Sequence, residues 1–287
     1  MSRARPPAAR ARSNRPRARD DGRALIRGGD PLAPARRGAA HPARARATHA
    51  HPAPAARIAG LDALRGLAIV AMIVYHFCYD LRYFGFTRSD FERDWRWLTA
   101  RTLILSSFLL IAGASAVLAQ RQAVPFARWA RRIALIAGAA LLVSAASWLM
   151  FPRSYIWFGV LHAIAASLLL AQPLVQRPLL AALVGVAVIA SGVALADPAF
   201  DNRALGWIGF MTAKPVTEDY VPLFPWAGVL FVGVAAGHWL VRTRFAALAP
   251  LGRVPAWLRW LGRHSLIVYL VHQPLLIGVF WLVVRLR

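Results

Sequence analysis

Four ionisable residues that can share one helical face lie in a single apolar segment, residues 61–81. Arg65 and His76 are eleven positions apart, and at about 100° and 1.5 Å per residue this spacing places both on one face, roughly 16 Å apart along the axis. Asp62 precedes Arg65 by three positions and Asp80 follows His76 by four, so both carboxylates can join that face. Ionisable groups at membrane depth cost roughly 2.5–3.5 kcal/mol each and usually line a functional path.

These residue types predict anion binding at one end of the segment and proton transfer at the other. A guanidinium binds phosphate through two parallel hydrogen bonds, which suits Arg65, beside Asp62, to that role. Histidine ionises near neutral pH, so His76 is a candidate general base or transient acyl carrier. Asp80, one turn further, would hold the imidazole in one tautomer. The structural alternatives are an interfacial ion pair for Asp62 and Arg65, and a buried, hydrogen-bonded imidazole for His76.

The composition predicts an integral membrane protein. The chain has 287 residues, of which 58% are hydrophobic, and its mean hydropathy is +0.48. Its net charge is +23, and the first 56 residues hold 13 arginines against three aspartates. We expect this Arg/Ala/Pro-rich stretch to be a disordered tail. Arginines that flank apolar segments favour anionic lipid headgroups as partners over nucleic acid, for which the sequence carries no recognisable module.

The apolar segments predict an all-α fold, a polytopic transmembrane bundle formed by residues 57–287. About seven spans are expected, near residues 61–81, 102–119, 133–151, 156–171, 179–196, 221–241 and 261–286. A short eighth or re-entrant piece near residues 205–211 is an alternative. The basic tail and the arginines of the last inside loop favour a cytoplasmic N-terminus.

Further polar or aromatic residues fall inside or beside these spans. His162, Trp226 and His272 are candidates to line the same cavity as His76, with hydrogen bonding to neighbouring helices as the alternative for the histidines. Arg263 and Arg259 lie at the inner end of the last span, where they are candidates to join Arg65. No metal site is expected, because the outer-half histidines lie on separate helices without a paired i, i+4 signature.

One set of motifs resembles a known family. The pattern Arg57-x4-Asp62-x2-Arg65-Gly66-x9-His76 looks like the first helix of bacterial membrane proteins similar to the heparan-alpha-glucosaminide N-acetyltransferase catalytic domain. The arginine, ten residues and then histidine also resemble the acyltransferase family 3 membrane enzymes. The likeness extends to residues 158–162, 222–228 and 262–274. The resemblance to eukaryotic members of this family implies a catalytic histidine in the luminal segment after the first helix, and residues 81–98 here contain none.

The resemblance implies an acyltransferase of the bacterial inner membrane. Its donor would be cytoplasmic acetyl-CoA, used as a co-substrate with no permanently bound cofactor, and its acceptor an amine or hydroxyl of a sugar or glycan at the outer face. By this analogy Asp62, Arg65 and Arg263 bind the donor, while His76 and Asp80 are catalytic. Two alternative functions remain. A proton-coupled transporter or flippase would use the same residues as a proton relay, whereas a noncatalytic scaffold would not need them.

Overall fold

The structure is a computed structural model that describes residues 58–286. The predicted disordered tail, residues 1–56, lies outside the described residues. In the described part the chain forms eight α-helices and no β-strand beyond one isolated bridge between Phe158 and Tyr220, which confirms the predicted all-α class. The helices are α1 (Ala59–Tyr83), α2 (Trp95–Arg121), α3 (Phe126–Met150), α4 (Val160–Leu170), α5 (Pro178–Ala194), α6 (Leu223–Arg242), α7 (Ala256–Arg263) and α8 (Ser265–Arg285).

Five of these helices are long and apolar enough to cross a membrane: α1, α2, α3, α6 and α8. The other two predicted spans are shorter apolar helices, α4 with 11 residues and α5 with 17. At about 1.5 Å per residue α4 is roughly 16 Å long, about half the thickness of a bilayer's hydrocarbon core. The seven predicted segments therefore all contain helix, but seven complete crossings and their orientation stay predictions.

The helices α2 and α3 begin about seven residues before the predicted spans, whereas α4 and α8 begin about four residues after them. The fourth segment becomes helical only at Val160, because residues 154–158 bond to the connection before α6 instead: Glu218 N–H donates to the Ser154 carbonyl, and Val221 N–H to that of Phe158. The last span begins at Ser265, since the short helix α7 occupies residues 256–263. Residues 205–211 are turns and irregular backbone, not an additional helix.

The apolar core is formed largely where α6 packs along α2, α4 and α5. Leu109 and Val117 of α2 meet Leu230 and Val234 of α6 in one buried cluster. Gly113 permits this approach, because a Cβ added there would lie 2.1 Å from the carbonyl oxygen of Leu230. Small residues at such points let transmembrane helix backbones come close together.

The other faces of the bundle are apolar and exposed, as lipid-facing surfaces must be. Large aliphatic and aromatic side chains point outward along α3, α5 and α8, among them Leu141, Leu149, Leu183, Val193, Leu275 and Trp281. In water such continuous apolar faces would promote association, whereas in a bilayer they match the surrounding hydrocarbon.

The Gly113 contact yields a stability prediction. Gly113→Ala is expected to lower the apparent melting temperature of the detergent-purified protein, since overpacking a helix contact costs about 1–3 kcal/mol. Gly138→Ala is the matched control, because no atom lies within 4 Å of a Cβ added at this helical glycine. That substitution should leave the melting temperature unchanged or raise it. Scanning fluorimetry that gave equal melting temperatures for the two variants would contradict the close α2–α6 contact.

Candidate functional site

The arginine cluster consists of Asp62, Arg65 and Arg263. Asp62 lies in the first turn of α1 and is only 6% exposed. Its Oδ1 atom is 3.3 Å from Arg65 Nη1, and its Oδ2 atom is 3.2 Å from Arg263 Nε at the end of α7. The structure thus brings together the three residues that the sequence and the family resemblance assign to the donor. Their role in donor binding stays a prediction.

Two further residues fix this cluster. A Cβ added at Gly262 would lie 1.8 Å from the backbone oxygen of Asp62, so the absence of a side chain allows the end of α7 to touch α1. Arg65 also donates a hydrogen bond from Nη2 to the hydroxyl of Ser115 on α2. Ser115 was missed as a site residue, because a small residue in an apolar span predicts helix packing.

Arg259 does not join the arginine cluster. Its Nη1 atom donates to the backbone carbonyls of Gly252 and Val254. The guanidinium therefore holds the turn before α7 in shape, and the expectation that Arg259 accompanies Arg65 was wrong.

The histidine cluster lies near the other end of α1. It consists of His76 and Asp80 from α1 together with His272 and Gln273 from α8. The rings of His76 and His272 are 5.0 Å apart between centroids, and Gln273 Nε2 donates to Asp80 Oδ1 at 2.9 Å. Asp80 is 2% exposed and His272 is 8% exposed, so this polar group is enclosed in the bundle.

Three atoms of the histidine cluster are buried without a hydrogen-bond partner among the described residues: Asp80 Oδ2, His272 Nε2 and Gln273 Oε1. Most buried polar atoms in folded proteins are satisfied, and the exceptions concentrate at functional sites. The observed partner of Asp80 is Gln273, so its predicted role in orienting His76 stays a prediction. Gln273 was missed although it directly follows His272, because an amide side chain carries no ionisable signature.

Aromatic side chains border the histidine cluster. Tyr75 lies 5.9 Å from His76 between ring centroids and also meets Phe91 and Trp97, which stack at 4.1 Å. Phe91 comes from the α1–α2 connection and is 5% exposed. Beside it, a cavity of about 370 Å³ is lined by Tyr79, Arg82, Tyr83, Arg88, Ser89, Asp90, Phe91 and Glu92.

The two clusters are joined by α1 and α8, which run in the same direction. Asp62 meets Arg263 just before α8 begins, and Asp80 meets Gln273 further along both helices. Phe77, three residues before Asp80, packs against Phe280, which lies further along α8 than Gln273. The predicted polar face of α1 is therefore covered at both ends by residues from the last part of the chain.

His162 and Trp226 lie in other surroundings. His162 Nδ1 accepts from the Gly159 N–H at 3.2 Å, and its Nε2 is 3.3 Å from the Ser144 hydroxyl, so both ring nitrogens support the start of α4. Trp226 packs against the apolar core that α6 shares with α2 and α4. The structure does not bring either residue to His76, and their cavity-lining roles stay predictions.

Asp219 is a further polar residue at the start of α4. Its Oδ2 atom accepts from the Val160 N–H at 2.8 Å. The residue as a whole is partly exposed, but this oxygen packs directly against Gly159. Burial raises the pKa of the Asp219 carboxyl, more than the Val160 hydrogen bond and the charges of Arg101 and Lys214 lower it.

A bundle of long apolar helices with two polar clusters along α1 defines a multi-pass membrane protein. The chain belongs to the family described as heparan-alpha-glucosaminide N-acetyltransferase, catalytic, whose model matches residues 57–274. Comparison with curated proteins and with solved structures found no match. The predicted family is confirmed, and with it a transferase class and a membrane setting. The likeness to acyltransferase family 3 stays a prediction.

The raised pKa of Asp219 predicts how stability depends on pH. In the folded state the pKa of Asp219 is higher than its ordinary value of 3.8, so the folded state binds this proton more tightly than the unfolded state does. The contribution of Asp219 to the free energy of unfolding therefore falls as pH rises through the raised pKa. Asp219→Asn removes the titration and keeps an oxygen that can accept from Val160. Its melting temperature relative to wild type should therefore increase between about pH 4 and pH 7.

Asp201→Asn is the matched control of opposite sign. Hydrogen bonds from Thr212 lower the pKa of the exposed Asp201 carboxyl. Its stabilising contribution is present above the unfolded pKa and lost as pH falls, so this variant should be less stable than wild type at neutral pH, with a difference that shrinks in acid. Parallel pH profiles for the two variants would contradict the opposite pKa shifts of Asp219 and Asp201.

Proposed function

We propose that the protein transfers an acetyl group from cytoplasmic acetyl-CoA to an amine or hydroxyl of a sugar or glycan at the outer face of the inner membrane. The observation that carries the proposal is the pair of polar clusters at opposite ends of one α1–α8 contact. Membership of an acetyltransferase family supplies the reaction class. The separation of roughly 16 Å between Arg65 and His76 suits a long donor lying along α1.

The arginine cluster is the proposed site for the donor's phosphates. The side chain of Arg263 is 42% exposed and that of Arg65 is 23% exposed, whereas their shared partner Asp62 is 8% exposed at its side chain. A ligand can therefore approach the guanidinium groups, while Asp62 orients both from the buried side. Guanidinium groups bind phosphate bidentately, and an oriented pair loses little conformational freedom when the ligand arrives.

The histidine cluster is the proposed site of acetyl transfer. The acceptor nitrogen or oxygen attacks the thioester carbonyl carbon, a new C–N or C–O bond forms, the C–S bond breaks, and CoA leaves as the thiolate. The acceptor's proton passes to an imidazole and then to the thiolate, which restores the protein. His76 and Asp80 are the proposed catalytic residues from α1, and the His76–His272 contact supplies two imidazoles at this point.

The cavity of about 370 Å³ at the end of α1 is the proposed acceptor site. Tyr79, which lines it, directly precedes Asp80 in α1, so the cavity lies next to the histidine cluster in the chain. Its lining combines aromatic faces with hydrogen-bonding groups, including Tyr83, Asp90 and Glu92, and such a mixture suits a hydroxyl-rich ring.

The orientation proposed from the sequence fits this assignment. A cytoplasmic N-terminus puts the arginine cluster at the inner face, where acetyl-CoA is available, and the histidine cluster in the outer half. The first and last spans of a seven-span protein run in the same direction, in agreement with the parallel α1 and α8.

Acetyl-CoA binding tests the proposal directly. Calorimetry on the detergent-purified protein should show binding that Arg65→Ala and Arg263→Ala each weaken at least tenfold, because charged hydrogen bonds are worth about 1.5–3 kcal/mol. His76→Ala should keep the affinity and lower the rate of acetyl transfer. Arg285→Ala is the matched control, since that guanidinium lies 3.9 Å from the Trp281 ring at the far end of α8.

A double variant distinguishes lost donor binding from misfolding. Asp62→Asn combined with Arg65→Gln removes both charges and leaves no buried carboxylate unpaired, and it should fold while still binding weakly. A well-folded wild type that binds no acetyl-CoA would contradict the proposal. Flux driven by a pH gradient in proteoliposomes would then favour the transporter, and full function in His76→Ala would favour the scaffold.

A further inference from the structure

The hydrogen bond made by His272 determines where its ring can accept a proton. Nδ1 lies 2.6 Å from the backbone oxygen of Tyr269, and a carbonyl oxygen can only accept, so Nδ1 carries hydrogen. In the neutral ring the lone pair is then on Nε2. This nitrogen is buried and has no hydrogen-bond partner among residues 58–286.

From this geometry we propose that His272 Nε2 is the general base that takes the acceptor's proton, an assignment that rests on the acetyltransferase function proposed above. The acceptor N–H or O–H donates to Nε2 while its heteroatom bonds to the acetyl carbon. The resulting imidazolium, still held at Nδ1 by the Tyr269 carbonyl, returns the proton from Nε2 to the CoA thiolate. No atom or electron pair beyond those of acceptor, acetyl-CoA and His272 is needed.

His76 lacks the corresponding arrangement. In the described part of the chain no hydrogen bond orients either of its ring nitrogens. Its imidazole ring packs against the rings of Tyr75 and His272. A general base works best when a second bond fixes its tautomer. The proton is therefore assigned to His272, with His76 beside it in the histidine cluster.

The titratable groups near His272 come from α1 and from its own helix. The titratable groups packed near it are His76 and Asp80 from α1 and Tyr269 from its own helix. The α3 residues that pack against α8 are apolar, among them Ala139, Ala140 and Val143. Arg263 of α7 is engaged with Asp62 at the start of the bundle. Gln273, which directly follows His272, donates a hydrogen bond to Asp80 and so fixes this carboxylate near His272.

The test compares His272→Asn with His76→Asn in the full-length protein. Asparagine can place its amide nitrogen where Nδ1 was and keep the bond to Tyr269, but it offers no base. We expect His272→Asn to bind acetyl-CoA with wild-type affinity and to transfer acetyl to glucosamine about 10²–10⁴-fold more slowly, the usual contribution of a general base. The rise in rate with pH that reports an ionising histidine should disappear.

Hydroxylamine, used as the acceptor in place of glucosamine, distinguishes a general base from a residue with a structural role. This amine is already unprotonated at neutral pH and is strongly nucleophilic, so His272→Asn should recover much of its rate with hydroxylamine as acceptor, which a distorted site would not. His238→Gln is the matched control, because His238 Nε2 bonds the Val175 carbonyl far from the cluster in sequence and glutamine can keep that bond; its rate and pH profile should match wild type.

The outcomes are distinct from those that test the proposed function. Wild-type rate and pH dependence in His272→Asn, with both lost in His76→Asn, would overturn the assignment and make His76 the base. Equal loss with glucosamine and hydroxylamine in His272→Asn would also overturn it and leave a structural role. A wild type without acetyl-CoA binding or transfer would instead contradict the acetyltransferase proposal itself.

Discussion

The buried carboxylate of Asp62 sets the arrangement of the helices around α1. A carboxylate taken out of water is stabilised only by well-placed partners, and removing one partner of a buried pair is strongly destabilising. Arg65 provides one partner from the next turn of the same helix, but the other partner, Arg263, lies 201 residues further along the chain than Asp62. The close approach of the end of α7 to α1 requires that Gly262 have no side chain. This single ion-paired contact thus brings the C-terminal helices onto the first one.

Once Arg263 is fixed, the register of α8 along α1 follows. His272 comes opposite His76, and Gln273 reaches Asp80. A slip of one helical turn, about 5.4 Å, would separate these pairs and leave a buried carboxylate without its amide. The packing of Phe280 among Phe77, Phe84 and Phe86 closes the same end. One polar contact and one aromatic contact therefore hold the two clusters at a constant separation.

Much of this could be predicted from the sequence, because helical periodicity alone puts Asp62, Arg65, His76 and Asp80 on one face. The all-α class followed from the apolar segments in the same way. What local patterns could not predict depends on non-local bonds. Arg259 was misassigned because its partners are carbonyls of a turn whose shape the sequence does not reveal.

The same limit applies to the helix bounds and to Gln273. The start of α4 is delayed by bonds to residues 218 and 221, some sixty positions away, and α7 is too short and too polar to appear as a span. Gln273 gained its role only through the register of α8 against α1.

The arginine cluster and the histidine cluster differ in exposure and in how their polar atoms are paired. In the arginine cluster each oxygen of Asp62 has a cationic partner and the guanidinium groups are partly exposed, so it is suited to exchange contacts with an incoming anion. In the histidine cluster three acceptor atoms are buried and have no hydrogen-bond partner among residues 58–286, and aromatic rings border the cluster. Unpaired hydrogen-bond acceptors in an apolar enclosure stabilise a bound group that donates a hydrogen bond. Electrostatic interactions in such an enclosure are stronger than in water. This difference supports the proposal that the donor's phosphates bind at the partly exposed arginine cluster and that proton transfer takes place at the enclosed histidine cluster.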